Sequence, residues 1–188
     1  DQKEILALLK QCSPRCPTGI RNRALLVVLW RGLLRVSEAL SLKPGDVSAD
    51  CIRVLKGKGG KARVVGIDPE GAAVIERWMV HRKEKLGVGG TKPLFCTLNG
   101  RPVQASYVRV LFKRLGRKAG ICKRVHPHGL RHAGASELLR EGVNLGIISG
   151  QLGHASLATT NRYANHLAPT EIVAAMTRRK WQPEGKVL

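Results

Sequence analysis

Apolar positions alternate along this chain with two different periods. Ile5, Leu6, Leu8 and Leu9 fall at mostly helical spacing within residues 1–11, and the stretch closes in a turn-rich Cys-Ser-Pro-Arg-Cys-Pro. A second helix is predicted from Arg21 to Arg31 through Ala24-Leu25-Leu26-Val27-Val28-Leu29-Trp30. It is apolar nearly all round, which marks a helix buried at the centre of a core. A short helix over Arg35 to Leu42 stops at Pro44-Gly45. The period then changes. Two short β-branched runs, Cys51 to Leu55 and Arg63 to Ile67, flank Gly57-Lys58-Gly59-Gly60-Lys61 and read as a hairpin with a glycine-rich, lysine-bearing tip. Asp68-Pro69-Glu70 opens a helix in cap-then-proline order, running to about Leu86. After a loop at Gly87 to Pro93, helices are expected over Gln104 to Ala119, His128 to Arg140, Leu145 to Leu152, Ser156 to Tyr163 and Thr170 to Arg178. The fold class is therefore mainly α with a small antiparallel sheet. With no internal repeat and no low-complexity linker, residues 1–188 form one domain.

Composition adds a direction. The 188 residues carry 33 Lys and Arg against 13 Asp and Glu, a net charge of +20. A domain this basic repels itself, and such a surplus usually meets a polyanion. Between Glu84 and Glu137 there is no acidic residue, while Arg109, Lys113, Arg114, Arg117, Lys118, Lys123 and Arg124 all fall there. A basic membrane surface is the competing reading, but no helix pairs this charge with exposed aromatics. No stretch approaches the roughly 20 apolar residues of a membrane span, and the N-terminus lacks the pattern of a signal peptide. Nucleic acid is the expected partner. Five cysteines (Cys12, Cys16, Cys51, Cys96, Cys122) are odd in number and unpaired in spacing, as in reduced cytosolic proteins. Cys12 and Cys16 could be half a zinc site, but no second pair sits at a matching distance.

Several clusters could carry chemistry. On a helix, His128, Arg131 and His132 share neighbouring parts of one face. Two imidazoles and a planar guanidinium there could bind phosphate; His128 and His132 could instead hold zinc, or the face could be an ordinary basic surface. The 57–61 tip lacks the P-loop pattern and suits a lysine projecting into a DNA groove, or a plain solvated turn. Arg35 and Glu38 could be an intrahelical ion pair. His154 follows Leu152-Gly153 at a helix break, with Tyr163 nine residues on. A tyrosine hydroxyl, of pKa about 10, needs a base and an electropositive setting to attack anything.

Read in order, these clusters resemble the tyrosine recombinase (phage integrase) family. Arg35-Val-Ser-Glu38-Ala-Leu-Ser-Leu-Lys-Pro-Gly-Asp46 is similar to its first-arginine box, and Gly57-Lys58-Gly59-Gly60-Lys61-Ala-Arg63 to its hairpin lysine. His126-Pro-His128-Gly-Leu-Arg131-His132 resembles its His-x-x-Arg box, and Leu152-Gly153-His154-Ala-Ser-Leu-Ala-Thr159-Thr160-Asn-Arg-Tyr163 its nucleophile segment. The resemblance covers residues 20–178. One departure stands in the first box: the family usually has Thr-Gly ahead of the residue preceding this arginine, and here the pair is Gly32-Leu33.

The resemblance implies the catalytic-domain fold of these DNA breaking-rejoining enzymes, without the N-terminal core-binding domain that members normally carry. It implies site-specific recombination or integration of double-stranded DNA through a 3′-phosphotyrosine and a Holliday junction, with no metal, ATP or other cofactor. The implied catalytic set is Arg35, Lys58, His128, Arg131, His154 and Tyr163, supported by Glu38 and Asp46. DNA contacts are expected from Lys56, Lys61, Arg63, Arg109, Lys113 and Arg117. The C-terminal helix is expected to join protomers of a homotetramer, or else to pack on its own domain, and the setting is cytoplasmic, at a nucleoid or in a phage-infected host. Type IB topoisomerase-like relaxation, a non-cleaving DNA-binding relic and a zinc-dependent nuclease remain the alternatives at this point.

Overall fold

The computed structural model describes residues 1–55, 62–84 and 86–153. The hairpin tip with Lys56, Lys58 and Lys61, the expected helices at 156–163 and 170–178, and the residues His154 and Tyr163 lie outside them.

Helix α2 (Pro17–Trp30) is the axis of the molecule. From Ala24 to Trp30 every side chain is at most 7 % exposed, as its unbroken apolar run requires. It begins four residues before the expected Arg21. Cys16 is extended and Pro17 takes the first helical position, where a missing N–H costs nothing; the second proline of the stretch read as a turn in fact starts the helix. Around α2 lie α1 (Gln2–Lys10), α4 (Pro69–Glu84), α5 (Ala105–Lys118) and α6 (Pro127–Arg140). Helix α4 packs along α2 from one side and α6 from another.

Helix α3 (Val36–Ser41) and a 3-10 turn (Pro44–Asp46) lead to strands β1 (Cys51–Val54) and β2 (Arg63–Gly66). The strands pair antiparallel, with Cys51 opposite Gly66 and Val54 opposite Arg63. Ile52, Val54 and Val65 point into the core, and α7 (Leu145–Leu152) packs on β2 and α6. The expected fold class, mainly helical with a small antiparallel sheet, is the one observed.

Two buried arginines explain how connections without regular structure keep their shape. Arg82 on α4 is 2 % exposed and donates to the carbonyls of Val88, Gly89, Lys92 and Pro93. The loop after α4 is thus wound around a guanidinium whose fork of donors suits several acceptors at once. Arg21 is 3 % exposed and bonds the Cys96 carbonyl, the Asn22 side chain and the Tyr107 hydroxyl, tying α2 to the start of α5.

Candidate active site

The site forms where the turn after α2, strand β2 and helices α3, α6 and α7 meet. Arg35 is not inside a helix but is the extended N-cap residue of α3. Its backbone N–H donates to Glu38 Oε2 at 2.8 Å, and its guanidinium to Glu38 Oε1 at 2.8 Å. The pair expected within one helix therefore straddles a helix start, which leaves the Arg35 side chain 27 % exposed beside a buried carboxylate.

Glu38, 2 % exposed, is the hub. Arg63 from β2 grips it with both terminal nitrogens, each at 2.9 Å, the bidentate arrangement a guanidinium favours. Arg131 from α6 lies 3.9 Å from Glu38 Oε2. Burial pushes the Glu38 carboxyl up. The Arg63 hydrogen bonds, the Arg35 N–H and the charge of Arg63 more than reverse this and hold it at about 2. The carboxylate stays ionised and fixes three guanidinium groups around one point.

Arg131 is 1 % exposed. One terminal nitrogen donates to the Leu33 carbonyl and the other to the Leu152 carbonyl, the latter at 2.6 Å. Leu33 is the residue that stands where the resemblance expects glycine, and its φ of 53° is the left-handed conformation glycine adopts freely. A leucine pays for that geometry at about 1–2 kcal/mol, and the Leu33 side chain is wholly buried against Ala135, Ile148 and Leu152. The turn thus takes a conformation that glycine adopts freely, held here by leucine packing.

Helix α6 starts at His126, whose Nδ1 accepts the Gly129 N–H at 3.2 Å. This places His128 at the exposed end of the helix, its ring edge-on to His132 with centroids 4.2 Å apart. Partial burial, then the positive charges of Arg131, His126 and Arg35, hold His128 below the ordinary imidazole value. A neutral imidazole beside two arginines can accept a proton. Among the described residues no three His, Cys, Asp or Glu side chains group as a metal set would.

At the other end, α7 closes on Gly153 with φ 62°. The Arg63 guanidinium lies where a Gly153 Cβ would stand, 2.7–2.8 Å from that position, so only glycine lets this chain pass so close on its way to His154. Asp46, expected as support, acts locally: its carboxylate accepts the Lys43 N–H at 2.8 Å within the 3-10 turn. Arg63, expected on the DNA surface, spends its guanidinium on Glu38 and is 13 % exposed. Arg109, Lys113 and Arg117 are exposed on one face of α5. With Lys123, Arg124 and His126 they line an open cavity of about 570 Å³, and His126 makes it continuous with the start of α6. The roles of the Leu33 and Leu152 carbonyls were invisible in the sequence, because carbonyl acceptors leave no side-chain signal.

A mainly helical domain in which three arginines from separate elements surround a buried glutamate beside a histidine has the build of a tyrosine recombinase catalytic domain. The chain belongs to the phage integrase family, whose sequence model matches residues 1–169. Tyrosine recombinase XerC of Xylella fastidiosa (strain 9a5c) is 37 % identical over 151 residues, 79 % of this chain and 50 % of XerC. The crystal structure of XerA recombinase superposes with a TM-score of 0.79 at 32 % identity, covering 96 % of this chain and 65 % of that one. A post-cleavage complex of XerH site-specific recombinase with palindromic difH substrate gives a TM-score of 0.73 at 28 % identity, covering 95 % and 52 %. The chain spans about half the length of the curated relatives it matches.

Proposed function

We propose that this chain is the catalytic part of a site-specific recombinase that cuts and rejoins double-stranded DNA. The observation that carries the reading is the set of Arg35, Arg63 and Arg131 fixed on one buried Glu38, with His128 exposed in the first turn of α6. A phosphodiester approaching that set meets preorganised donors, which act where charge develops in the transition state.

In this reading Tyr163 Oη attacks the scissile phosphorus. The Tyr163–phosphorus bond forms, the bond to the 5′ oxygen breaks, and a 3′-phosphotyrosine remains. His128 accepts the tyrosine proton, and Lys58 gives one to the departing 5′ oxygen. Arg35 and Arg131 hold the non-bridging oxygens, and His154 hydrogen-bonds the phosphate. Attack by the 5′-hydroxyl of a second strand reverses the step and transfers the strand, through a Holliday junction when two duplexes are paired. The bond energy stays in the covalent intermediate, so the scheme uses no ATP, metal or cofactor. Duplex DNA would lie over the basic cavity between α5 and α6, with Arg109, Lys113 and Arg117 on its backbone and Lys56 and Lys61 near the hairpin tip. The XerH complex with difH supports a DNA partner. A homotetramer joined through the segment after Tyr163, acting on cytoplasmic DNA, completes the proposal.

Covalent trapping tests it. Nicked duplexes carrying candidate sites are incubated with the recombinase in EDTA and run on denaturing gels. A protein–DNA adduct is expected, and Tyr163→Phe should bind DNA equally and form none. Adduct persisting in Tyr163→Phe would move the nucleophile elsewhere, and adduct lost to EDTA alone would favour metal chemistry.

A further inference from the structure

We propose that Gln151 is a positioning residue for strand cleavage, locking strand β2 to the end of α7 and so holding the strand that follows Lys58 in register with the rest of the site. The inference rests on the recombinase reading above.

Gly66 closes β2 opposite Cys51. The next pair outward is hydrogen-bonded, with Ile67 N–H donating to the Asp50 carbonyl at 2.9 Å. In an antiparallel ladder bonded and non-bonded pairs alternate, so the N–H and carbonyl of Gly66 face away from β1, along the free edge of the sheet. The Gln151 carboxamide takes both. Gly66 N–H donates to Oε1 at 2.9 Å, and Nε2 donates to the Gly66 carbonyl at 2.8 Å. One side chain thus stands in for a third strand, and two bonds to one residue fix the register as well as the distance. Nε2 also reaches the Gly32 carbonyl at 3.5 Å, next to the Leu33 carbonyl that holds Arg131.

The residues around this clamp all belong to the site. Leu152, directly after Gln151, gives its carbonyl to Arg131. Gly153 lies under the Arg63 guanidinium, and Arg63 opens the strand that Gly66 closes. Strand β2 is therefore pinned at one end by Arg63 on Glu38 and at the other by Gly66 on Gln151. The chain enters β2 from the segment that carries Lys58 and leaves α7 towards His154 and Tyr163. Both Gly66 bonds lie at an exposed edge, where water would satisfy the same groups. Their consequence is alignment, and misplacing reacting groups by about 1 Å can cost on the order of 100-fold in rate.

The test compares wild type, Gln151→Leu, Gln151→Glu and Lys58→Ala in the intact recombinase at saturating DNA. Two nicked duplexes bearing its selected binding site are used, one with an ordinary 5′ oxygen and one with sulfur bridging to the 5′ leaving group, which departs without a proton. Gln151→Leu should bind DNA and melt like wild type and cleave the oxygen substrate about 10- to 100-fold more slowly. Gln151→Glu keeps the length and the bond from Gly66 N–H but turns a carboxylate oxygen towards the Gly66 carbonyl; it should lose rate as well, and it carries the comparison if the leucine variant folds poorly. Sulfur should restore both Gln151→Leu and Lys58→Ala. A wild-type rate for Gln151→Leu on oxygen overturns the proposal, and so does a loss that sulfur repairs in Lys58→Ala but not in Gln151→Leu. If sulfur fails to restore Lys58→Ala, the acid assignment falls instead. Gln151 then stands on the oxygen substrate alone: a loss in both variants at unchanged affinity keeps the proposal, and a wild-type rate in either ends it.

Discussion

Glu38 concentrates most of the site's electrostatics in one carboxylate. Its folded pKa of about 2 lies below the ordinary 4.5, so its ionised form is bound more tightly in the fold than in the unfolded chain. The stability it contributes is complete above pH 4.5 and is lost as pH falls from there towards 2, on the order of 3 kcal/mol in all. Gln in its place leaves buried guanidinium groups without an anion, a kind of loss that costs about 3–5 kcal/mol. Glu38→Gln should therefore unfold at lower urea concentration at pH 7, and its deficit against wild type should shrink as pH is lowered through that window. A deficit independent of pH would mean that Glu38 acts by shape and not by charge. At this scale the sequence was informative about identity and silent about direction. Arg35, His128 and Arg131 were picked out by their likeness to the family's boxes, whereas Arg63 was read as a DNA contact because nothing in a sequence says whether a basic side chain turns outward or inward onto a buried acid.

Between elements, the seam of α2 and α6 sets the site's dimensions. Trp30 donates its indole N–H to Glu137 at 2.9 Å, and a Cβ on Gly134 would come within 2.2 Å of the Trp30 carbonyl and 2.6 Å of Leu33 Cδ2. Neither contact can be relieved by rotating a long side chain. Gly134→Ala should push α6 away from the end of α2, loosen the Leu33–Arg131 grip and cost about 1–3 kcal/mol, as overpacked cores do; a urea midpoint equal to wild type would show that the seam yields freely. Element types and order were readable because the hydrophobic period is local. The start of α2 was not: Cys-Ser-Pro-Arg-Cys-Pro looks like a turn, and only the position of Pro17 against the core makes it a helix cap. The short α3 was placed one residue early for a similar reason, since Arg35 is held extended by its partner Glu38.

Over the whole molecule the net charge of +20 is not spread evenly, and α5 presents Arg109, Lys113 and Arg117 together on an open cavity. If this face meets the DNA backbone, affinity for a duplex of arbitrary sequence falls linearly with salt on logarithmic axes, by about 0.9 per phosphate neutralised. Alanine at any one of the three should reduce that slope by about 1 with no change in melting temperature. A slope untouched by all three substitutions would place the DNA on another face. Among the described residues no helix is long and apolar enough to cross a membrane.

The sequence by itself determined the helical class, the small hairpin sheet, the excess of positive charge and the order of the chemical residues. Each of these depends on residue type and near-neighbour spacing, which survive without coordinates. Tertiary structure alone decided what those residues do to one another. Arg63 and Arg131 come from points 68 positions apart on the chain and converge on one buried carboxylate. A leucine holds a glycine's conformation because a pocket on α6 and α7 receives its side chain. Gln151 completes a sheet edge 85 residues away. Long-range contacts of this kind are made by packing and by hydrogen bonds to backbone groups, neither of which a linear pattern encodes.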